Sequence, residues 1–281
     1  MDQVDLGRFV HLTKHKYRKQ LKELKRLVRE DAFRVDESTK VSDKSVYKYW
    51  TQRKSIFSVF GGKPLYLTRE LWFSITPEAV ARFTAQFIRS CLPQATTVLD
   101  VFCGGGGNLI QFAMFFPTVY GVDFSMEHLY CAYRNAKAYD VEDRIWLKYG
   151  DWNRLARKGR FEKLGVDCVF ASPPWGGPNY LKRAVFDVET QLEPLGLREM
   201  LKGFLRVSSN VAMFLPRNSN LSQISQITRE LLGEGAKCKV LYVKIGPYLK
   251  GILCLWGEPF YDYQCAAVDE EVPAPKEELD Y

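Results

Sequence analysis

From residue 97 to residue 256 short apolar runs alternate with stretches of helical period, and this alternation constrains the fold more than any other feature of the chain. Strands are predicted over 97–101, 119–123, 145–148, 168–171, 211–215, 239–244 and 252–256. Helices are predicted over 108–116, 126–139, 197–207 and 221–232. Strands separated by helices pair parallel, because the chain must cross back over the sheet before it re-enters. The expected class is therefore α/β, a mostly parallel seven-stranded sheet with helices on both faces. The last two strands are joined only by Gly246-Pro247-Tyr248-Leu249-Lys250-Gly251, which predicts an antiparallel hairpin at one edge.

Upstream the texture differs. Thr76 is a plausible helix cap and Pro77 suits a first helical position, so a helix is expected there with Val80, Phe83, Phe87 and Ile88 turned inward. Between Arg8 and Arg29 nine basic residues face one acid, Glu23, while Leu21, Leu24, Leu27 and Val28 recur at helical spacing. A second helix is expected over 44–60, with Val46, Trp50, Phe57 and Phe60 near one face. Residues 1–75 thus read as a basic helical extension, 76–260 as the main domain, and 261–281 as an acidic, disordered tail.

The charge is distributed to match. The chain carries a formal +7; residues 1–60 alone hold 15 basic and 8 acidic side chains, and the last fourteen hold 1 and 6. A cationic front is suited to a polyanion. No apolar run approaches the roughly 20 residues needed to cross a bilayer, and the first thirty residues have no apolar segment of signal-peptide type, so a soluble, unsecreted protein is expected. Seven cysteines, odd in number and without closely spaced pairs, predict reduced core thiols rather than disulfides or a zinc site. No metal is expected.

The first strand of the alternating region runs into Asp100-Val101-Phe102-Cys103-Gly104-Gly105-Gly106-Gly107-Asn108, and the second ends at Asp123, twenty-three residues beyond Asp100. A glycine turn followed by an acid about 20 residues later is how such sheets hold a nucleoside, the acid bonding the ribose hydroxyls. A dinucleotide fingerprint starting at Gly104 or Gly105 would need a third glycine where Leu109 or Ile110 stands, and no lysine follows the loop to serve a triphosphate. Asp100 would repel a pyrophosphate but attract an ammonium group. S-adenosylmethionine fits those charges better than NAD or ATP. After the third strand, Gly150-Asp151-Trp152 offers an acid for an adenine amino group and an aromatic to cover the ring.

Ser172-Pro173-Pro174-Trp175 follows the fourth strand, at the edge where open α/β sheets place their ligands. Methylating the amino group of a planar heterocycle requires that nitrogen to be presented in line with the sulfonium. The Ser172 hydroxyl and Pro173 carbonyl can accept from its N–H bonds, a rigid Pro-Pro unit keeps both acceptors fixed, and an aromatic side chain can stack on the base. The nitrogen becomes acidic once alkylated, so no strong general base is needed.

Together Asp100 to Gly104 with Gly106-Gly107-Asn108, then Ser172-Pro173-Pro174-Trp175-Gly176-Gly177-Pro178, Leu215-Pro216-Arg217-Asn218 and Trp72-Phe73-Ser74-Ile75-Thr76-Pro77-Glu78 resemble the trimethylguanosine synthases in their short, fungal form. The resemblance runs from about Tyr49 to Trp256. It implies a class I S-adenosylmethionine-dependent methyltransferase fold acting on N2 of the 7-methylguanosine cap of small nuclear and nucleolar RNAs, to give 2,2,7-trimethylguanosine. It also implies contact with ribonucleoprotein proteins, a role in RNA processing, and a nuclear, nucleolar location. By position, Asp123 would take the cofactor ribose, Asp100 and Thr76 the methionine end beside Gly104 and Gly106, and Asp151 and Trp152 the adenine. Ser172 and Pro173 would present guanine N2, Trp175 would stack on the 7-methylguanine, Arg217 would meet the cap phosphates, and Asn218 would contact the substrate. Two other readings share these residues. One is an N6-adenine or N2-guanine methyltransferase acting at internal RNA or DNA positions; the other is a cap- or RNA-binding protein without catalysis.

Overall fold

The structure is a computed structural model, and it describes residues 4–10, 17–177, 180, 184–261 and 263. In chain order its elements are α1 (Arg18–Glu30), β1 (Arg34–Val35), α2 (Lys44–Thr51), α3 (Arg53–Ile56), β2 (Leu65–Tyr66), α4 (Leu71–Ser74), α5 (Glu78–Cys91), β3 (Thr97–Val101), α6 (Gly107–Phe115), β4 (Thr118–Asp123) and α7 (Met126–Ala138). They continue with β5 (Ile145–Tyr149), α8 (Trp152–Arg157), β6 (Cys168–Ala171), α9 (Leu197–Leu205), β7 (Val211–Leu215), α10 (Leu221–Leu232), β8 (Lys239–Ile245), β9 (Tyr248–Trp256) and α11 (Glu258–Tyr261).

Seven strands form one sheet in the order β5-β4-β3-β6-β7-β9-β8. The first five run parallel, while β9 pairs antiparallel with both β7 and β8, which seats the hairpin at the edge. From β3 the chain winds outward one way to β4 and β5 and the other way to β6 and β7. The reversal leaves a crevice at the carboxyl ends of β3 and β6, where ligands of such sheets bind. Alternation along the strands fills two cores: Val98, Cys168 and Phe170 face one side with Phe112 and Tyr130, while Leu99, Val169 and Ala171 face the other with Phe204 and Trp256.

The extension is not a separate body. Phe9, Leu24, Leu27, Phe57, Leu65 and Tyr66 are buried in the same core as Phe112, Tyr130 and Tyr133. The Val10 amide donates to the Leu147 carbonyl at 2.9 Å, so the first segment lies along the free edge of β5. Arg134 of α7 pairs with Asp31 at 3.1 Å and hydrogen-bonds the Tyr66 hydroxyl.

Several expectations are corrected here. The helix expected over 44–60 breaks at Gln52 and ends at Ile56, and Phe57 and Phe60 reach the core from the turns beyond it. Phe83 is 37% exposed, stacked on Phe87 at 6.2 Å rather than turned inward. Thr76 does not cap α5; Pro77 occupies the cap position, and the Thr76 hydroxyl accepts from Asn108 Nδ2 at 2.9 Å. None of the six cysteines among the described residues forms a disulfide, and no group of three or more His, Cys, Asp or Glu side chains there could hold a metal ion. The acidic stretch 268–281 and Cys265 lie outside the described residues.

Candidate active site

The turn after β3 is built from left-handed backbone positions. Phe102 has φ +66°, a left-handed conformation that non-glycine residues seldom adopt, and it turns the chain off the strand directly into Gly104. Gly104 (φ +51°) donates its amide to Asp123 Oδ2 at 3.0 Å, which joins the ends of β3 and β4. Gly106 (φ +92°) caps α6, and a Cβ there would stand 3.2 Å from the Ala132 Cα. Glycine lets α7 pack directly against the loop.

Asp100 and Asp123 flank this loop. Asp123, 5% exposed, also accepts from the Ser125 amide at 2.8 Å. Asp100 is fully buried, and no side chain among the described residues hydrogen-bonds its carboxyl oxygens. Burial, reinforced by the Asp123 charge, pushes its carboxyl well above the usual range. An orphaned buried acid is costly. A cationic amine entering the crevice would supply both a countercharge and donors, and this is the observation that fits the methionine end of S-adenosylmethionine to the loop. A phosphate-bearing group in its place would worsen the charge balance.

Thr76 is 7% exposed and stands at the loop's outer wall, where the Gly107 Cβ position lies 3.1 Å from its carbonyl oxygen. Asp151 caps α8, accepting from the Arg154 amide at 2.9 Å, and Gly150 donates to the Asp123 carbonyl at 2.9 Å. The Asp123 and Asp151 ends of β4 and β5 are thereby held together. Trp152 belongs elsewhere. It is 2% exposed, stacked on Phe161 at 5.8 Å and packed against Phe204 at 5.1 Å, so it is a core side chain under α9 and not a cover for adenine. Sequence could not separate the two roles, because the direction of Trp152 depends on the turn of α8. An aromatic that stays at the surface beside the loop is Phe124, directly after Asp123 and 63% exposed.

On the other side of the crevice β6 delivers Ser172-Pro173-Pro174-Trp175, with Pro173 buried and Ser172 and Trp175 half-buried. Trp175 stands edge-on to Tyr180 at 5.4 Å and tilted on Phe214 at 5.5 Å. A cavity of about 380 Å³ opens beside it, lined by Trp175, Gly176, Tyr180, Phe186, Gln191 and Glu193, a size that accepts a nucleoside. Asn218 Nδ2 donates to the Tyr180 carbonyl at 3.4 Å, and the exposed Arg217 donates to the Leu249 carbonyl at 3.3 Å. Burial raises the Tyr180 hydroxyl, against the opposing charge of Arg217 nearby. Trp175, Tyr180, Arg217 and Asn218 are thus brought to one rim. Tyr180 was missed in the sequence because aromatic residues are common and its spacing from Trp175 has no periodic meaning.

Comparisons with known proteins give the family. Residues 95–259 match the family described as RNA cap guanine-N2 methyltransferase. Trimethylguanosine synthase of Saccharomyces cerevisiae is 50% identical over 98% of this chain and 90% of its own length. That of Schizosaccharomyces pombe is 33% identical over 65% of this chain and 75% of its own. A crystal structure assigned as a methyltransferase from Porphyromonas gingivalis W83 superposes with a TM-score of 0.58 at 16% identity, covering 74% of this chain and 48% of that one, and it speaks for the fold alone. The chain belongs to the RNA cap guanine-N2 methyltransferases and uses S-adenosylmethionine as its methyl source.

Proposed function

We propose that the chain methylates N2 of the 7-methylguanosine cap of small nuclear and nucleolar RNAs, giving 2,2,7-trimethylguanosine, and that it does so in the nucleus and nucleolus. S-adenosylmethionine supplies an electrophilic methyl group when bound. Asp123 would hold the ribose, Asp100 and the Gly104–Gly106 turn the methionine end, Asp151 the adenine amino group, and Phe124 the face of its ring. The orphaned Asp100 carboxyl beside the positive-φ turn at Phe102, Gly104 and Gly106 is the single observation that carries this placement.

Across the crevice, Ser172 Oγ and the Pro173 carbonyl are the acceptors available to the two N–H bonds of guanine N2. They orient its lone pair toward the methyl group, and Pro174 keeps the turn rigid. Trp175 offers a face for the 7-methylated base, whose positive ring gains a cation–π term of about 0.5–2 kcal/mol. Arg217, exposed at the same rim, would meet the phosphates that follow the base, and Asn218 braces the Tyr180 wall. The basic α1 and the segment before it are read as a track for the RNA body, and contacts with ribonucleoprotein proteins remain part of the same proposal.

The deciding experiment offers 7-methyl-GTP, GTP, uncapped RNA and an adenine-containing RNA as methyl acceptors. Transfer to 7-methyl-GTP far above the other three is the expected result. Equal transfer to internal RNA positions would replace the cap reading.

A further inference from the structure

His128 lies in the first turn of α7, where no expectation from the sequence placed a functional side chain. Its side chain is only 13% exposed, with Nδ1 3.4 Å from Asp123 Oδ1 and Nε2 3.5 Å from Glu70 Oε2. The helix start fixes it there, since Ser125 caps α7 by accepting from the His128 amide at 3.2 Å. Asp123 is the acid assigned to the cofactor ribose, whereas Glu70 precedes α4 in the N-terminal extension and its side chain is 81% exposed. One imidazole therefore spans from the nucleoside site to the extension.

We propose that His128 is a positioning residue for cofactor binding, clamping the Asp123 carboxylate in the orientation that meets the ribose while anchored to the extension through Glu70. The inference rests on the ribose assignment of Asp123. Asp123 already spends one lone pair of each oxygen on the Ser125 and Gly104 amides. A third donor on Oδ1 leaves the carboxylate no freedom to rotate, so its one remaining lone pair, on Oδ2, is held toward the ribose.

Protonation decides how well the clamp works. A neutral imidazole has one N–H and can serve only one carboxylate, whereas the imidazolium serves both. The charged groups facing it are Asp123 at the end of β4, Glu70 ahead of α4 and Glu127 on its own helix; Asp100 and Cys103 of β3 and its loop lie behind Asp123. Burial lowers the imidazole's affinity for a proton, but the hydrogen bond and charge of Asp123, with the charges of Glu70 and Glu127, outweigh it and hold His128 above its ordinary value of 6.5. A raised value means that the cation persists to higher pH than in a free imidazole and is lost as pH rises through it. Cofactor affinity is therefore expected to fall as pH rises and the imidazolium is lost.

The test is calorimetric titration of the full chain with S-adenosylhomocysteine from about pH 6 to about pH 8, the range in which an imidazole changes charge. It uses wild type, His128→Ala, Glu70→Gln and Asp123→Asn, with 7-methyl-GTP binding as a parallel readout. Wild-type affinity should weaken as pH rises. His128→Ala should bind roughly tenfold more weakly at the acid end, as expected for a lost hydrogen bond to a charged group, with a flat pH profile and unchanged 7-methyl-GTP affinity. Glu70→Gln, at an exposed position, should keep the profile but shift its midpoint to lower pH, and it decides the matter if His128→Ala does not fold. Wild-type affinity and profile in both variants, with binding lost in Asp123→Asn, would overturn the role of His128 alone. Wild-type binding by Asp123→Asn would instead remove the ribose assignment and this inference with it.

Discussion

Asn135 pairs with Tyr66 as a neighbouring strand would: its Nδ2 donates to the Tyr66 carbonyl at 2.9 Å and its Oδ1 accepts from the Tyr66 amide at 2.7 Å. The other Nδ2 hydrogen reaches the Gly105 carbonyl, also at 2.9 Å. This fully buried side chain on α7 thereby joins β2 of the extension to the glycine loop. Asn135→Ala would leave three buried backbone groups unpaired, each costing about 1–3 kcal/mol. We expect the melting temperature to drop by roughly 6 °C or more, taking about 2–4 °C per kcal/mol for a chain of this size. S-adenosylhomocysteine affinity should fall as well, because the loop loses its tether. Calorimetric melting and titration check both, and loss of stability with intact affinity would separate the loop from the tether.

Trp152 and Phe124 make opposite predictions. Trp152→Ala removes a core indole packed on Phe161 and Phe204 and should cost about 3–5 kcal/mol of stability. Phe124→Ala, at an exposed site, should leave the melting temperature within about 2 °C of wild type while weakening S-adenosylhomocysteine several-fold, since stacking on a base contributes about 1–3 kcal/mol. Weakened cofactor binding by the conservative Trp152→Phe, with Phe124→Ala unaffected, would reverse the assignment of the adenine face.

Trp175 tests how the cap is read. Trp175→Leu keeps apolar bulk but no π face, so the preference for 7-methylguanosine over guanosine should shrink by up to about thirtyfold, the equivalent of a 2 kcal/mol cation–π term. The measurement is kcat/KM on both acceptors. An unaltered preference ratio would make Trp175 a packing residue and move discrimination to the rest of the 380 Å³ cavity.

The basic front needs a gentler test than truncation, because Leu24 and Leu27 of α1 are fully buried and removing the helix would open the core. Lys22, Lys25 and Arg29 are exposed on its outer face. Replacing all three by Gln should lower the slope of log affinity against log salt for capped RNA by about 2, at roughly 0.7–0.9 for each phosphate neutralised. Turnover of free 7-methyl-GTP should be unaffected. An identical salt slope would mean that this face does not touch RNA.

Much of the site was legible before any tertiary structure. The bounds of β3, β6, β7 and α10 coincide with those expected from apolar runs, and Asp100, Asp123 and Ser172 fall at carboxyl ends of parallel strands, as their motifs require. Local signals suffice there: a strand buried on both faces must be continuously apolar, and a tight turn beside a ligand needs glycine. The same logic misread residues whose direction is set by distant partners. Phe83 has the right spacing to be buried, yet it stays 37% exposed among the described residues, and residues 44–60 carry helical spacing that the chain breaks at Gln52 and ends at Ile56, bringing Phe57 and Phe60 into the core.

What the sequence by itself determined is the order of strands and helices, the glycine turn with its two acids, and the Ser-Pro-Pro-Trp unit, because each is written in contiguous residues whose chemistry is local. Tertiary structure decided which aromatics face the ligand. Trp152 turns into the core while Phe124 stays out, and Tyr180 closes on Trp175. It also decided that the extension is built into the catalytic body, through Asn135 reading Tyr66 across 69 positions and His128 reaching Glu70. Such contacts leave no mark in spacing or composition, since only packing the helices and the sheet brings those side chains within hydrogen-bond reach.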